Sequence, residues 1–340
     1  MTSEPFSTNL RARMITPAAW IPLALAATLA FADGEPAGEA IAIRSASVPL
    51  DPRDPGVTRA GRLEFRGGLH LTSEDKRFGG LSALSVSGDG TRLTAVTDEG
   101  GWLTARIGYD ERGWLKEVTD GRMGLLHNPS GRPLTGKEFQ DAESLARLPD
   151  GSMIVGFERA HRLWRYPAGP DPLDGKPVPL RVPNSLYKAP LNGGIEALGS
   201  LWDGRLFALT EYWIKGDTVR GWLGGGAGWW EIGYRFQGAY RPSDAGVMPN
   251  DDLAVLERAY NPSRGITGIR IAHVKTEDVR RGAKLQSDLL ADLKPPLTLD
   301  NFEGIACRAD ADGRSLFYLI SDNNFSAEQR TLLLLFALSD

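Results

Sequence analysis

The chain is poor in cysteine and histidine, the usual ligands of soft and borderline metals. One cysteine, Cys307, stands in 340 residues, so an internal disulfide is excluded. It follows the apolar run Gly304-Ile305-Ala306, the setting of a buried, inert thiol. The four histidines, at positions 70, 127, 161 and 273, have no zinc-ligand spacing and no Arg-His-Gly phosphatase signature. His161 follows Glu158-Arg159 and reads first as a loop histidine, second as a proton donor. No Gly-x-Ser-x-Gly elbow occurs, which argues against a serine α/β-hydrolase. The glycine run Gly224-Gly225-Gly226 lacks the Lys-Ser/Thr that a phosphate-cradling loop needs. Positive charge is not in excess either. The formal net charge is −4, which argues against nucleic acid and anionic membranes as partners.

Long apolar runs are also scarce. The run Ala18 to Ala30, broken by Pro22 and Thr28, follows Arg11 and Arg13 and ends in Ala30-Phe31-Ala32. It is shorter than the ~20 residues of a spanning helix and has the charge and small-x-small ending of a secretory signal. Residues 1–32 are therefore expected to direct export, to the periplasm or outside, leaving no membrane span after cleavage. Arg11-Ala12-Arg13 is not a twin-arginine motif, so Sec export is expected. Residues 33–61 read as an irregular leader with one short strand at 40–48, and residues 62–340 as the folded domain.

Glycine (40) and proline (22) are plentiful, and 41% of the residues are apolar, which suits many short strands joined by turns. Five segments share one pattern of strand, turn and second strand ending in an acid. Their first strands carry Ser82, Glu143, Glu196, Asp244 and Glu303, which lie 61, 53, 48 and 59 residues apart. That spacing suits propeller blades of roughly 40–50 residues plus insertions. Two-residue turns at Asp150-Gly151, Asp203-Gly204, Asn250-Asp251 and Asp312-Gly313 would set Glu143 opposite Glu158, Glu196 opposite Glu211, Asp244 opposite Glu257, and Glu303 opposite Asp322. One extra residue near Gly88-Asp89-Gly90 would set Ser82 opposite Asp98. Like charges directly opposed destabilise a sheet, so something must compensate: a cation, a shared proton, or an inserted Arg or Lys. If these are the two innermost strands of each blade, the acids ring one mouth of the central channel.

The apolar strand Thr331 to Leu338 and the strand Arg62 to Leu71 are expected to pair within one blade and close the ring. Residues 276–293 read as a helical or irregular insertion.

The phrases Gly80-Leu-Ser-Ala-Leu, Asn192-Gly-Gly-Ile-Glu-Ala-Leu, Leu256-Glu-Arg, Asn301-Phe-Glu-Gly-Ile-Ala and Ser321-Asp-Asn-Asn-Phe resemble those of the phytase-like family, described by an esterase-like activity of phytase. The resemblance spans about residues 78–338. It implies an all-β, exported bacterial β-propeller of six blades, each of four antiparallel strands. Five repeats are visible, so the sixth blade would be degenerate or built from the two ends.

Three functions fit. The first is a Ca²⁺-dependent hydrolase of esters, phosphoric esters above all. Its metal ligands would come from Asp98, Glu143, Glu158, Glu196, Glu211, Asp244, Glu257, Glu303 and Asp322. Glu196, Glu303 and Asp322 would act on metal-held water, and Arg159 and Arg258 would hold the anionic substrate. The bland reading of the same residues is a ring of structural ion pairs. The second is a metal-dependent lactonase, since Glu303 with Asp322, Asn323 and Asn324 is similar to the set of gluconolactonase-like propellers. The third is a ligand- or protein-binding module without turnover, in which Trp222, Trp229 and Trp230 around the glycine run make contacts. These tryptophans could equally pack inside a blade. The expected partner is a small molecule and the expected state a monomer.

Overall fold

The computed structural model describes residues 1–2 and 37–339. The expected signal, and the export it implies, concern residues 1–32 and lie outside the described residues save for Met1 and Thr2. The chain divides into two units, Met1–Glu35 and Pro36–Asp340, and the strands belong to the second. Among the described residues no helix is long and apolar enough to cross a membrane.

Five sheets make a β-propeller. From the channel outward, blade 1 runs Leu81–Val86, Arg92–Thr97, Gly101–Tyr109, Leu115–Leu125 and Glu39–Ile41. Blade 2 runs Ala142–Arg147, Met153–Phe157, Arg162–Tyr166 and Val178–Leu180. Blade 3 runs Ile195–Ser200, Leu206–Lys215, Thr218–Gly225 and Gly228–Arg235, with Lys284–Leu285 added in parallel at its edge. Blade 4 runs Tyr240–Val247, Leu253–Asn261, Gly265–Val274 and Asp288–Leu293. Blade 5 runs Phe302–Ala309, Ser315–Ser321, Thr331–Leu338, Leu63–Thr72 and Arg44–Ser47.

The chain ends meet as expected. Thr331–Leu338 pairs antiparallel with Leu63–Thr72, so the first and last parts of the propeller share a sheet. They complete the fifth blade and do not make a sixth, which corrects the count of six to five. The inner strands explain why no gap is left. Each packs against the next around the channel, including Phe302–Ala309 against Leu81–Val86. The buried side chains fall into five clusters, one in each seam between neighbouring blades.

Strand Thr331–Leu338 shows why a seam needs an unbroken apolar run. Leu333, Leu335 and Ala337 face the seam with blade 1, while Leu332, Leu334 and Phe336 face the seam with blade 4. Side chains alternate across a strand, so a strand buried on both faces cannot alternate polar and apolar residues. Each such side chain contributes roughly 1.5–3 kcal/mol by leaving water.

Two other expectations are corrected. Residues 37–61 are not a leader: they supply the outer-edge strands Glu39–Ile41 and Arg44–Ser47 and the short strand Arg59–Ala60, which pairs with Leu63–Thr72. Residues 276–293 hold one short 3₁₀ turn, Thr276–Asp278, and then two strands, the second of which is the fourth strand of blade 4. Sheet pairing with Gly265–Val274 overrides the helical pattern there.

Candidate functional site

The register of the inner hairpins decides where the acids go. The turns hold three residues where two were expected. In blade 2, Leu148 N–H meets the Ser152 carbonyl at 2.8 Å, leaving Pro149-Asp150-Gly151 as the loop. Gly151 takes φ 84°, a conformation that glycine adopts without steric cost. Blades 3, 4 and 5 repeat this, with Gly204, Asp251 and Gly313 at positive φ. Blade 1 has one residue more, Gly88 to Thr91 between Ser87 and Arg92, as its sequence suggested.

Each inner strand then bulges once, at Ser82, Glu143, Glu196, Ser243 and Glu303. Turn and bulge together shift the pairing by two residues at the mouth. The expected direct opposition of acid with acid is therefore corrected. Glu158 N–H bonds the Asp141 carbonyl at 2.9 Å, Asp322 that of Asn301 at 2.9 Å, and Asp98 that of Gly80 at 3.0 Å. Glu143, Glu196 and Glu303 are the inserted residues, and a bulge re-aims the side chain it carries. The acids still converge at one mouth, by bulging and by the ring rather than by cross-strand pairing.

Blade 4 is offset by one. Its bulge is at Ser243, so Asp244 is not the counterpart of Glu143, and Arg258 rather than Glu257 ends its second strand at the mouth. Asp244 turns away and is buried. Its Oδ1 accepts the Ala245 N–H at 2.7 Å and its Oδ2 the Ile305 N–H at 2.8 Å, which ties blade 4 to blade 5. Burial pushes its carboxyl well above the usual range. Glu257 accepts from the Tyr234 hydroxyl at 2.9 Å, between blades 3 and 4. The structure thus separates Asp244 and Glu257 from the other seven expected ligands.

Inserted cations and a shared proton handle the remaining charge. Arg258 inserts between blades: Nη2 meets Glu211 Oε1 at 2.9 Å, and Nη1 donates to Glu303 and to Asn301. Burial works against the guanidinium, but Glu303 and Glu211 outweigh it and raise its pKa. Lys137 bridges Asp98 Oδ2 at 2.7 Å and Asp141 Oδ1 at 2.8 Å. Arg159 Nε binds Asp141 Oδ2 at 2.6 Å. A proton does the rest. Glu196 and Glu158 lie close enough to share a hydrogen bond, which requires that one of them keep its proton.

Burial, then neighbouring carboxylates, push Glu143 and Glu196 well above their usual range. Glu158 and Glu303 are also raised by burial, Glu158 less so because it accepts from Glu196 and from Gly194 N–H at 2.7 Å. Burial and Glu303 push Asp322 up to about 7. Glu143, Glu196 and Glu303 retain some exposure to solvent although protein surrounds them.

Oxygens of Asp141, Glu143 and Glu158 all lie within 4.8 Å of one another, close enough to hold one metal ion. Nearby, the buried Asp98 Oδ1 has no hydrogen-bond partner. An all-oxygen set with an orphaned carboxylate oxygen beside it fits a hard cation. Sequence reasoning missed Asp141, Lys137 and Asn301. Asp141 and Asn301 begin the repeat phrases, two residues before the bulge, and that constant position was the available signal. His161 is buried; its ring Nε2 lies 2.9 Å from the Pro190 carbonyl and its Nδ1 has no partner.

The tryptophans lie elsewhere. Trp222 is buried in blade 3 and donates to Ser185 Oγ at 3.0 Å, and Trp229 donates to the Arg181 carbonyl at 2.7 Å. The glycine run is the tight end of a hairpin between Thr218–Gly225 and Gly228–Arg235.

A family model described as "Phytase-like: Esterase-like activity of phytase" matches residues 76–325. No curated protein matches the sequence. Solved structures similar to the chain include an aldose sugar dehydrogenase from Streptomyces coelicolor, at 12% identity and TM-score 0.41, covering 86% of this chain and 98% of that one. A virginiamycin B lyase from Staphylococcus aureus, at 12% identity and TM-score 0.40, covers 86% and 99%. An endo-arabinase from Bacteroides thetaiotaomicron, at 9% identity and TM-score 0.43, covers 76% and 94%. Likenesses at this level say nothing about the chemistry of the mouth.

Proposed function

The chain belongs to the Phytase-like family, and from that premise and the geometry of the acidic mouth we propose that it is a Ca²⁺-dependent hydrolase of phosphoric esters. The observation that carries this reading is the convergence of Asp141, Glu143 and Glu158 oxygens within 4.8 Å. Six to eight oxygen ligands suit Ca²⁺, and the bulged Glu196, the orphaned Asp98 Oδ1 and water would complete the set. When bound, the ion supplies polarisation of a phosphoryl oxygen and a more acidic water.

The chain's own residues have distinct tasks. Glu158 would hold the cation as a carboxylate, and the proton it shares with Glu196 would then stay on Glu196 or pass to water. Asp322, with a pKa of about 7, can hold or release a proton near neutral pH, and Glu303 beside it sets that value after burial. Arg159, about one third exposed and held to Asp141 through Nε, is the cation placed to meet an anionic substrate. Arg258 is held by Glu211, Glu303 and Asn301 and serves the ring rather than the substrate. Export of a monomer, expected from the sequence, would place the mouth in contact with extracellular Ca²⁺.

Calorimetry with CaCl₂ on the full chain tests the metal, with Glu143→Gln plus Glu158→Gln as the variant. Saturable heat lost in the variant supports it; no heat with the unmodified chain ends it. A parallel assay with an aryl phosphate and a γ-lactone, each with Ca²⁺ or a chelator, tests the reaction. Lactone opening without phosphate release would replace the phosphoesterase with a lactonase. Ca²⁺ binding without turnover of either would leave a ligand-binding propeller.

A further inference from the structure

The opposite mouth of the channel, where the inner hairpins turn, holds a cavity of about 390 Å³. All five inner strands line it, and no carboxylate does. Two guanidiniums do, and neither has an acidic partner among the described residues. Arg147 of blade 2 donates through Nε to Ser85 Oγ of blade 1 at 3.3 Å. Arg308 of blade 5 is fixed by the Tyr318 hydroxyl at 2.8 Å and the Ala309 carbonyl at 2.8 Å.

Two further observations point to a ligand. Ser200, on the blade 3 wall of the same cavity, is 9% exposed, and its Oγ has no hydrogen-bond partner. A buried hydroxyl left unpaired costs stability unless something else supplies the bond. Burial, and then Arg92, lower the Arg147 pKa, the direction expected of a cation without a counter-ion. The rest of the wall is largely apolar, with Leu84 and Leu198 among its residues, and Trp202, 63% exposed, stands at the rim.

We propose that this turn-side mouth binds the oxyanion head of a small molecule, a carboxylate or a phosphate, between Arg147, Arg308 and Ser200, with the apolar wall taking the remainder. Guanidinium forks match both heads, because each presents paired oxygens to paired N–H donors. The site is independent of the acidic mouth, since it shares no residue with it.

Calorimetry on the full chain at low ionic strength, with a chelator to silence the acidic mouth, tests the site with inorganic phosphate, acetate and butyrate. Saturable binding of phosphate alone would assign a phosphate head, and of acetate or butyrate alone a carboxylate head; either supports the site. Arg147→Gln should weaken that binding by about tenfold and Arg147→Lys by less. Ser200→Ala, a small change that a folded chain tolerates, should weaken it measurably. Trp202 fluorescence should change on binding, and the change should vanish in Trp202→Phe. Arg159→Gln, at the other mouth, should leave the titration unchanged. The proposal is overturned if none of the three probes binds, if Arg147→Gln and Ser200→Ala both bind as the unmodified chain does, or if Arg159→Gln abolishes the heat.

Discussion

Arg258 occupies in blade 4 the place that Glu211 occupies in blade 3, and the two side chains meet at 2.9 Å. One cation at an otherwise acidic ring position lets Glu211 and Glu303 stay buried. Breaking a largely buried pair by removing one partner typically costs about 3–5 kcal/mol, because the other charge is left uncompensated. Arg258→Met should therefore lower the urea midpoint sharply, and adding Glu211→Gln should restore part of the loss. A midpoint close to that of the parent would show that the ring does not need this cation.

Lys137 stands where a metal would compete with it. Its ammonium bridges Asp98 and Asp141. Lys137→Met should raise Ca²⁺ affinity several-fold, by freeing Asp141 and removing a repelling charge. Calorimetry would read this directly, and a weaker affinity in the variant would mean that the lysine positions the ligands rather than competing.

The metal-free protein should lose stability as pH rises. Burial and Glu303 push Asp322 from its ordinary 3.8 up to about 7. A group raised on folding stabilises fully below its unfolded pKa, and that contribution fades as pH climbs through the folded pKa. Glu143, Glu158, Glu196 and Glu303 shift in the same direction. Urea midpoints measured with a chelator should fall between pH 4 and 7, and Asp322→Asn should flatten the slope. A midpoint that rises over that range would contradict the raised values.

The seam between blades 5 and 1 closes the ring, and Gly304 lies in it. A Cβ there would meet Ile320 Cγ2 at 2.8 Å and the Leu84 backbone nitrogen at 3.0 Å. Gly304→Ala should cost about 1–3 kcal/mol by overpacking. Leu334→Ala, on a fully buried residue of the seam with blade 4, should cost about 2–5 kcal/mol through the cavity it leaves. Thermal unfolding of both variants checks the pair, and unchanged melting would mean that the seams are loosely packed.

Local chemistry made much of this legible in the sequence. Asp150-Gly151, Asp203-Gly204 and Asp312-Gly313 mark turns because their glycines can take positive φ. The run Thr331 to Leu338 marks a strand buried on both faces because both of its alternating sets are apolar. The acids at the strand ends recur because each hairpin reaches the same mouth. Register was not legible. A bulge is set by how strands twist into a ring, and Glu143, Glu196 and Glu303 carry no local mark of it. A single residue of slip reassigned Asp244 to a buried tie and replaced Glu257 with Arg258 at the mouth.

The sequence by itself determined that hairpins repeat, that acids end them and that the two chain ends share a blade, since each follows from short-range conformational preference and side-chain polarity. Only the tertiary structure decided that five blades close the ring and that Asp141 joins Glu143 and Glu158. It alone decided that the guanidinium of Arg258 sits among the acids, because ring closure, the bulged register and contacts between neighbouring blades are set by how the sheets pack and not by local preference.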